Sequence, residues 1–135
     1  MDETEVRATG SRLPMEIYGG LMLLGLEIRG TSINLAIDSG ASNLVLYASG
    51  CRKLEKQVRI SHQSRPVTGA ARSGSIEVAF LDELKVGEEQ LGRSMVGLLR
   101  RIERPVDGLL PLNLFRSVYF NNSDGYVILN PRLLN

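Results

Sequence analysis

The sequence has a single cysteine, a single histidine and no tryptophan, and each shortage removes a class of chemistry. One cysteine, Cys51, forms no internal disulfide, so the redox compartment stays open and localisation with it. No Cys/His cluster has zinc-ligand spacing, so neither a metal nor any other cofactor is expected. A nucleophilic Cys51–His62 pair is one reading of these two residues. No motif surrounds either, and the structural reading is the expectation. Long apolar runs are also missing. The longest, Leu21 to Leu26, is interrupted by Glu27 and is far too short to cross a bilayer, so no direct membrane segment is expected. Charge of one sign is absent as well: 16 basic and 15 acidic residues leave a net +1. That balance supplies no nucleic-acid stripe and no polybasic membrane anchor. The densest basic run, Arg100-Arg101 with Arg104, also contains Glu103 and reads as a solvated loop or strand end. No glycine-rich phosphate loop follows a strand. Met1 to Glu5 are acidic and carry no signal-peptide pattern.

What is present suits one domain. The chain has 135 residues, 43% of them hydrophobic. Residues 1–12 are polar and read as a leader or an edge strand, with a single domain over 13–135. From Met15 the apolar pattern has period two. Leu24, Leu26 and Ile28 alternate with Gly25 and Glu27. After a turn at Gly30-Thr31, Ile33, Leu35 and Ile37 alternate with Asn34 and Ala36. Two alternating runs around a glycine turn predict a β-hairpin. Leu44 to Tyr47 predicts a further strand, and residues 49–57 a short helix or loop. Val58 and Ile60 begin another strand, and Ser61 to Ser75 reads as an exposed hairpin tip. Further strands are expected at Ile76–Phe80, Leu84–Val86, Met95–Leu99, Val106–Leu110, Val118–Phe120 and Tyr126–Leu129. Asp124-Gly125 supplies a hairpin turn. Eight or nine short strands imply an all-β barrel or sandwich. One short helix is expected from Pro111 through Leu112, Phe115 and Arg116, because proline suits the first helical position.

One polar loop sits where a carboxylate is costly. Leu35-Ala36-Ile37 runs into Asp38-Ser39-Gly40-Ala41-Ser42, and the next apolar run begins at Leu44. An unpaired charge between two buried strands calls for an explanation. Asp-Ser-Gly is also ordinary turn chemistry, so an Asx-turn is the plain structural reading.

This segment resembles the active-site signature of the retropepsin-like (retroviral-type) aspartic peptidases, in particular a single-lobe member of bacterial style. In that family an apolar strand enters Asp-Thr/Ser-Gly-Ala/Thr-Ser. The preceding hairpin fits, and so does the late segment Asp107-Gly108-Leu109-Leu110-Pro111-Leu112, which is similar to the Asp-Gly-Ile-Leu-Gly run of pepsin-type lobes. The resemblance covers about Met15 to Leu129. It implies a closed retropepsin-like barrel with a flap hairpin and one short C-terminal helix. It also implies Asp38 as the catalytic carboxylate. Gly40 would let backbone N–H groups approach that carboxylate. Ser39 would tie two loops together across a dimer axis, Ala41 would complete the loop, and Ser42 would hydrogen-bond Asp38. Thr68, Gly69 and Ala70 fall at the flap position, and Gly108, Leu109, Leu110 and Pro111 form the segment behind the site. Pro111 departs from the family's usual glycine and lacks an N–H.

The chemistry accounts for the residue types. Peptide hydrolysis without a covalent intermediate needs one carboxylate as base toward water and another as acid. Only one Asp-Ser/Thr-Gly occurs in the chain. Asp107 belongs to the segment behind the loop, Asp124 to a hairpin turn, and Asp82 to a charged surface stretch. The second carboxylate is therefore expected from Asp38 of another copy across a two-fold axis, acting on a polypeptide substrate. The competing expectations are an inactive peptide-binding or dimerisation domain that kept the fold, and a monomeric precursor awaiting processing.

Overall fold

The computed structural model describes residues 7–69 and 72–134, with side chains described over 8–58 and 76–133. In chain order the elements are β1 (Arg7–Thr9), β2 (Arg12–Tyr18), β3 (Leu21–Ile28), β4 (Thr31–Asp38), β5 (Leu44–Leu46), α1 (Ala48–Lys53), β6 (Val58–Gly69), β7 (Arg72–Val86), β8 (Glu89–Leu98), β9 (Gly108–Pro111), β10 (Val118–Asn121), β11 (Tyr126–Leu129) and β12 (Arg132–Leu134). A single 3₁₀ turn, Leu112–Leu114, follows β9.

The period-two pattern translates directly into the central hairpin. Leu24 faces Leu35 and Leu26 faces Ile33, and all four are buried. Gly25 and Asn34, also paired, are exposed on the other face. Arg29 (φ 49°) and Gly30 (φ 81°) make the two-residue turn, with Thr31 already in β4. Positive φ at both positions matches the twist of the flanking strands, at the cost of placing a non-glycine residue, Arg29, in the left-handed region.

Ten strands form one sheet in the order β10-β11-β2-β3-β4-β9-β5-β8-β7-β6, and β1 with β12 forms a separate ribbon. Most neighbours are antiparallel. The exceptions sit at the centre: β4 with β9, and β5 with β8, run parallel. Side chains from β3, β4, β5, β7, β8, β9 and β11 share one hydrophobic cluster, so the sheet wraps around a single core. Each fully buried leucine there contributes about 1.5–3 kcal/mol relative to exposure.

Two expectations change. The paired strands do not close into a barrel among the described residues, because β10 and β6 remain as edges. The β6–β7 pairing continues to Gly69↔Arg72, past the last β7–β8 pair at Glu77↔Leu98. β6 thus runs out with β7 into a long hairpin. The helix expected to begin at Pro111 is only the 3₁₀ turn, and Pro111 itself is extended (φ −74°, ψ 144°). The α-helix lies instead at Ala48–Lys53, overlapping the stretch 49–57 read as short helix or loop. The basic run is exposed at Arg100, Arg101 and Arg104, with Arg100 donating to Glu77 at 2.8 Å.

Candidate active site

Asp38 is the last residue of β4 and is half-buried, while Ser39 and Gly40 are exposed. The strand ends here because the chain turns back: Ala41 N donates to Asp38 O at 3.3 Å. Gly40 N donates to Asp38 Oδ1 at 2.9 Å. A Cβ at Gly40 would stand 3.4 Å from the same oxygen, an ordinary contact, so the hydrogen bond does not itself require glycine. Ser42 is exposed, and its carbonyl accepts from Asn113 Nδ2 at 3.4 Å, which links the loop to the 3₁₀ turn. Among the described residues, the hydrogen bond that reaches the Asp38 carboxylate comes from Gly40 and not from Ser42.

β9 lies beside β4 in parallel register: Leu35↔Gly108, Ala36↔Leu109, Ile37↔Leu110 and Asp38↔Pro111. The late segment is therefore next to the Asp38 loop in space, although about 70 residues separate them in sequence. Pro111 is buried, and its φ of −74° is the value its ring dictates. The proline fits without distortion but contributes no N–H to the ladder. Gly108 is required for a different reason. A Cβ there would fall on Val45 O of β5, so only glycine lets β9 lie between β4 and β5.

Asp107 opens this segment and is the one buried charged residue among those described, at 4% exposure. Its carboxylate accepts from Asn34 N at 2.8 Å, Ser49 Oγ at 2.6 Å and Lys53 Nζ at 2.8 Å. Its backbone N–H donates to Asn34 O at 2.9 Å, and its carbonyl accepts from Tyr47 N at 2.9 Å. Ser49 and Lys53 are four residues apart on α1 and so share one face. Burial pushes the Asp107 carboxyl up, but the Asn34 N–H, the Lys53 ammonium and the Ser49 hydroxyl outweigh it and hold the group below the ordinary carboxylate range. Asn34 precedes Asp38 by four strand residues, so the two carboxylates stand about 13 Å apart along the sheet. Asp107 is too distant and too fully bonded to share a water with Asp38. The sequence showed Asp107 behind the loop; it did not show Ser49 and Lys53, whose only signal is their four-residue spacing.

The remaining sequence candidates separate cleanly. In the backbone, Thr68 pairs with Ser73 and Gly69 with Arg72, at the end of the long hairpin. Ala70 lies outside the described residues. Cys51 is buried, its Sγ 3.5 Å from Leu46 O, and burial pushes its thiol up. A raised thiol is a poor nucleophile at neutral pH. The His62 side chain lies outside the described residues. Two cavities, of about 1260 Å³ and about 410 Å³, lie elsewhere on the molecule. The larger is lined by the β3–β4 turn (Arg29, Gly30), the end of β7 (Glu83, Lys85) and the β7–β8 turn (Gly87, Glu88), at the opposite end of β4 from Asp38.

Comparison with known proteins agrees with this geometry. A profile of the family described as aspartyl protease matches residues 24–114, about two thirds of the chain, from β3 through the 3₁₀ turn. The crystal structure of a retropepsin-like aspartic protease from Rickettsia conorii matches with a TM-score of 0.62 at 15% identity, covering 99% of this chain and 100% of that one. At that identity the likeness is one of fold. No curated protein matches the chain. With the Asp38 loop and the Asp107–Pro111 segment both inside the matched region, the chain belongs to the aspartyl protease family, with a retropepsin-like fold.

Proposed function

We propose that this protein is a homodimeric aspartic endopeptidase, in which the Asp38 carboxylates of two copies meet across a two-fold axis and hydrolyse a polypeptide. The observation that carries the reading is Asp38 itself. It is a half-buried carboxylate at a strand end, in the family's loop, with one backbone donor and an open face. Asp107, the other carboxylate of the motif segments, is committed to Asn34, Ser49 and Lys53. A second carboxylate must then come from outside this chain.

Two features favour self-association as its source. An Asp38 loop on an exposed surface can approach its own symmetry mate in an isologous contact. Among the described residues the β1–β12 ribbon has two strands, each with an outer edge that can take further pairing, and Leu133 on it is 58% exposed. In the assembled site one Asp38 is ionised and takes a proton from water as that water attacks the scissile carbonyl. The other, protonated, donates to the carbonyl oxygen. Collapse of the tetrahedral intermediate then returns a proton to the leaving amine. Two carboxyls this close repel as a pair of charges, so the assembled site holds one proton between them. Thr68, Gly69 and Ala70 act as a flap that closes over the bound strand.

The test combines analytical ultracentrifugation with cleavage of an unfolded protein between about pH 3 and about pH 7. The expected result is a dimer, pepstatin-sensitive cleavage with an acid-leaning optimum, and no cleavage by Asp38→Asn. A chain that stays monomeric at high concentration and cleaves nothing removes the reading. Peptide binding that persists unchanged in Asp38→Asn, without cleavage by wild type, points to a non-catalytic binding domain. Pro111 is the residue that first raises that alternative, and its unstrained geometry weakens it.

A further inference from the structure

The five-residue stretch from Asn34 to Asp38 runs beside the five-residue stretch from Asp107 to Pro111. The two ends of this parallel pair are held very differently. At the first end, Asn34 and Asp107 are clasped by reciprocal bonds. Asp107 N donates to Asn34 O at 2.9 Å, and Asn34 N donates to Asp107 Oδ2 at 2.8 Å. Ser49 and Lys53 of α1 then hold the same carboxylate, and Tyr47 N bonds its carbonyl. At the other end, Asp38 faces Pro111, a residue with no N–H to give. A ladder that lacks a donor beside Asp38 must take its register from elsewhere. The polar group in place to set it is the Asp107 carboxylate, four residues upstream. Gly50 supports the same point: a Cβ there would fall on Asp107 O, so α1 is seated directly against this residue.

We propose that Asp107 is a positioning residue for Asp38. Clasped to Asn34 and charge-paired with Lys53, it fixes the β4–β9 register that the proline at the catalytic end cannot fix. The role in turnover rests on the peptidase reading above; the role in geometry does not. Asp107 touches no substrate and exchanges no proton. Its removal acts by letting the Asp38 loop shift relative to β9, and displacements of about 1 Å near reacting groups cost roughly 100-fold in rate.

The experiment compares wild type, Asp107→Asn, Pro111→Gly and the double variant, well below the melting temperature of the least stable. Asn keeps the size and one acceptor of Asp but loses the charge that Lys53 pairs. The expected result for Asp107→Asn is a kcat, per folded enzyme, about 10- to 100-fold lower with KM within roughly twofold, the folded fraction being measured separately. The same substitution costs several-fold less in the Pro111→Gly background, because glycine restores a donor beside Asp38. Additive effects of the two substitutions, or a kcat loss that only tracks the folded fraction, overturn the proposal. A readout independent of activity is amide hydrogen exchange at Gly40, whose N–H bonds Asp38 Oδ1. Exchange there accelerates in Asp107→Asn and is restored in the double variant. Unchanged exchange at Gly40 overturns the proposal even if the wild type is active. If the wild type shows no Asp38-dependent cleavage, the peptidase reading fails, and the exchange data still decide the geometric claim. Should Asp107→Asn fold poorly, Lys53→Met, at a side chain 43% exposed, removes the charge pair more gently and is read the same way.

Discussion

Two aspartates sit four residues apart in the register of one parallel strand pair, and they live under opposite rules. Asp107 is buried, and its carboxylate accepts three hydrogen bonds, one of them from a cation. Asp38 is half-buried and accepts one, from a backbone N–H. A buried carboxylate that lacked partners would cost several kcal/mol, so full bonding is the condition for Asp107 to be there at all. A carboxylate meant to exchange protons with water must keep lone pairs free and solvent near. The contrast teaches how to separate an architectural acid from a chemical one within a single motif region: by counting what already holds its oxygens.

The comparison is broken most sharply at its chemical end. Asp38→Asn is expected to abolish cleavage, at least ~1000-fold, while leaving the unfolding free energy within about 0.5 kcal/mol of wild type. Denaturant titration beside a peptide assay checks both halves, and a large stability loss would mean that Asp38 is architectural too. At the other end, Gly108→Ala puts a methyl on Val45 O, where backbone and not a flexible side chain must yield. A destabilisation of about 3 kcal/mol or more is expected, with loss of the native fold as its limit. Chemical denaturation measures it, and a shift below ~1 kcal/mol would show that β9 has room this geometry denies.

Acid sharpens the difference further. Because the Asp107 carboxyl is held below its unfolded value, the stability it contributes is fully present above about pH 4 and is lost as pH falls through its folded value. Wild type should therefore lose stability on acidification below about pH 4, and Asp107→Asn should show a flatter profile over the same range. Melting temperatures recorded down the pH series decide this; parallel curves would assign the acid sensitivity to other groups. The smallest effect is at Cys51, whose buried and raised thiol should resist a disulfide-exchange reagent in the native state and react on unfolding. Rapid native labelling would reveal opening of α1 from β5.

Much of this was written locally in the chain. The β3–β4 hairpin followed from strict alternation around Gly30, and the Asp38 loop from a polar insert between two apolar runs. Local signals end there. β8 was legible only at Met95–Leu99 because Glu89, Gln90, Gly92 and Arg93 dilute its apolar period, yet it is one strand from Glu89 to Leu98. The helix was sought after Pro111 because proline favours a helical start, but that residue is held extended by its place in the β4–β9 ladder. The closed barrel came from family likeness, whereas the pairing leaves β6 and β10 as edges. Least legible were the partners of Asp107. Ser49 and Lys53 precede it by more than 50 residues, and only the fold brings their helix face to it.

The small β1–β12 ribbon has one more consequence. Arg7 stands opposite Leu134, so two residues about 125 apart in the chain are neighbours in space. The fold is, in effect, a ring with one break. A short peptide bridging that break would relieve the unfolded chain of most of the entropy the ribbon must oppose, and new ends opened at the exposed Asn122–Asp124 tip would leave the β4–β9 pair and its two aspartates undisturbed.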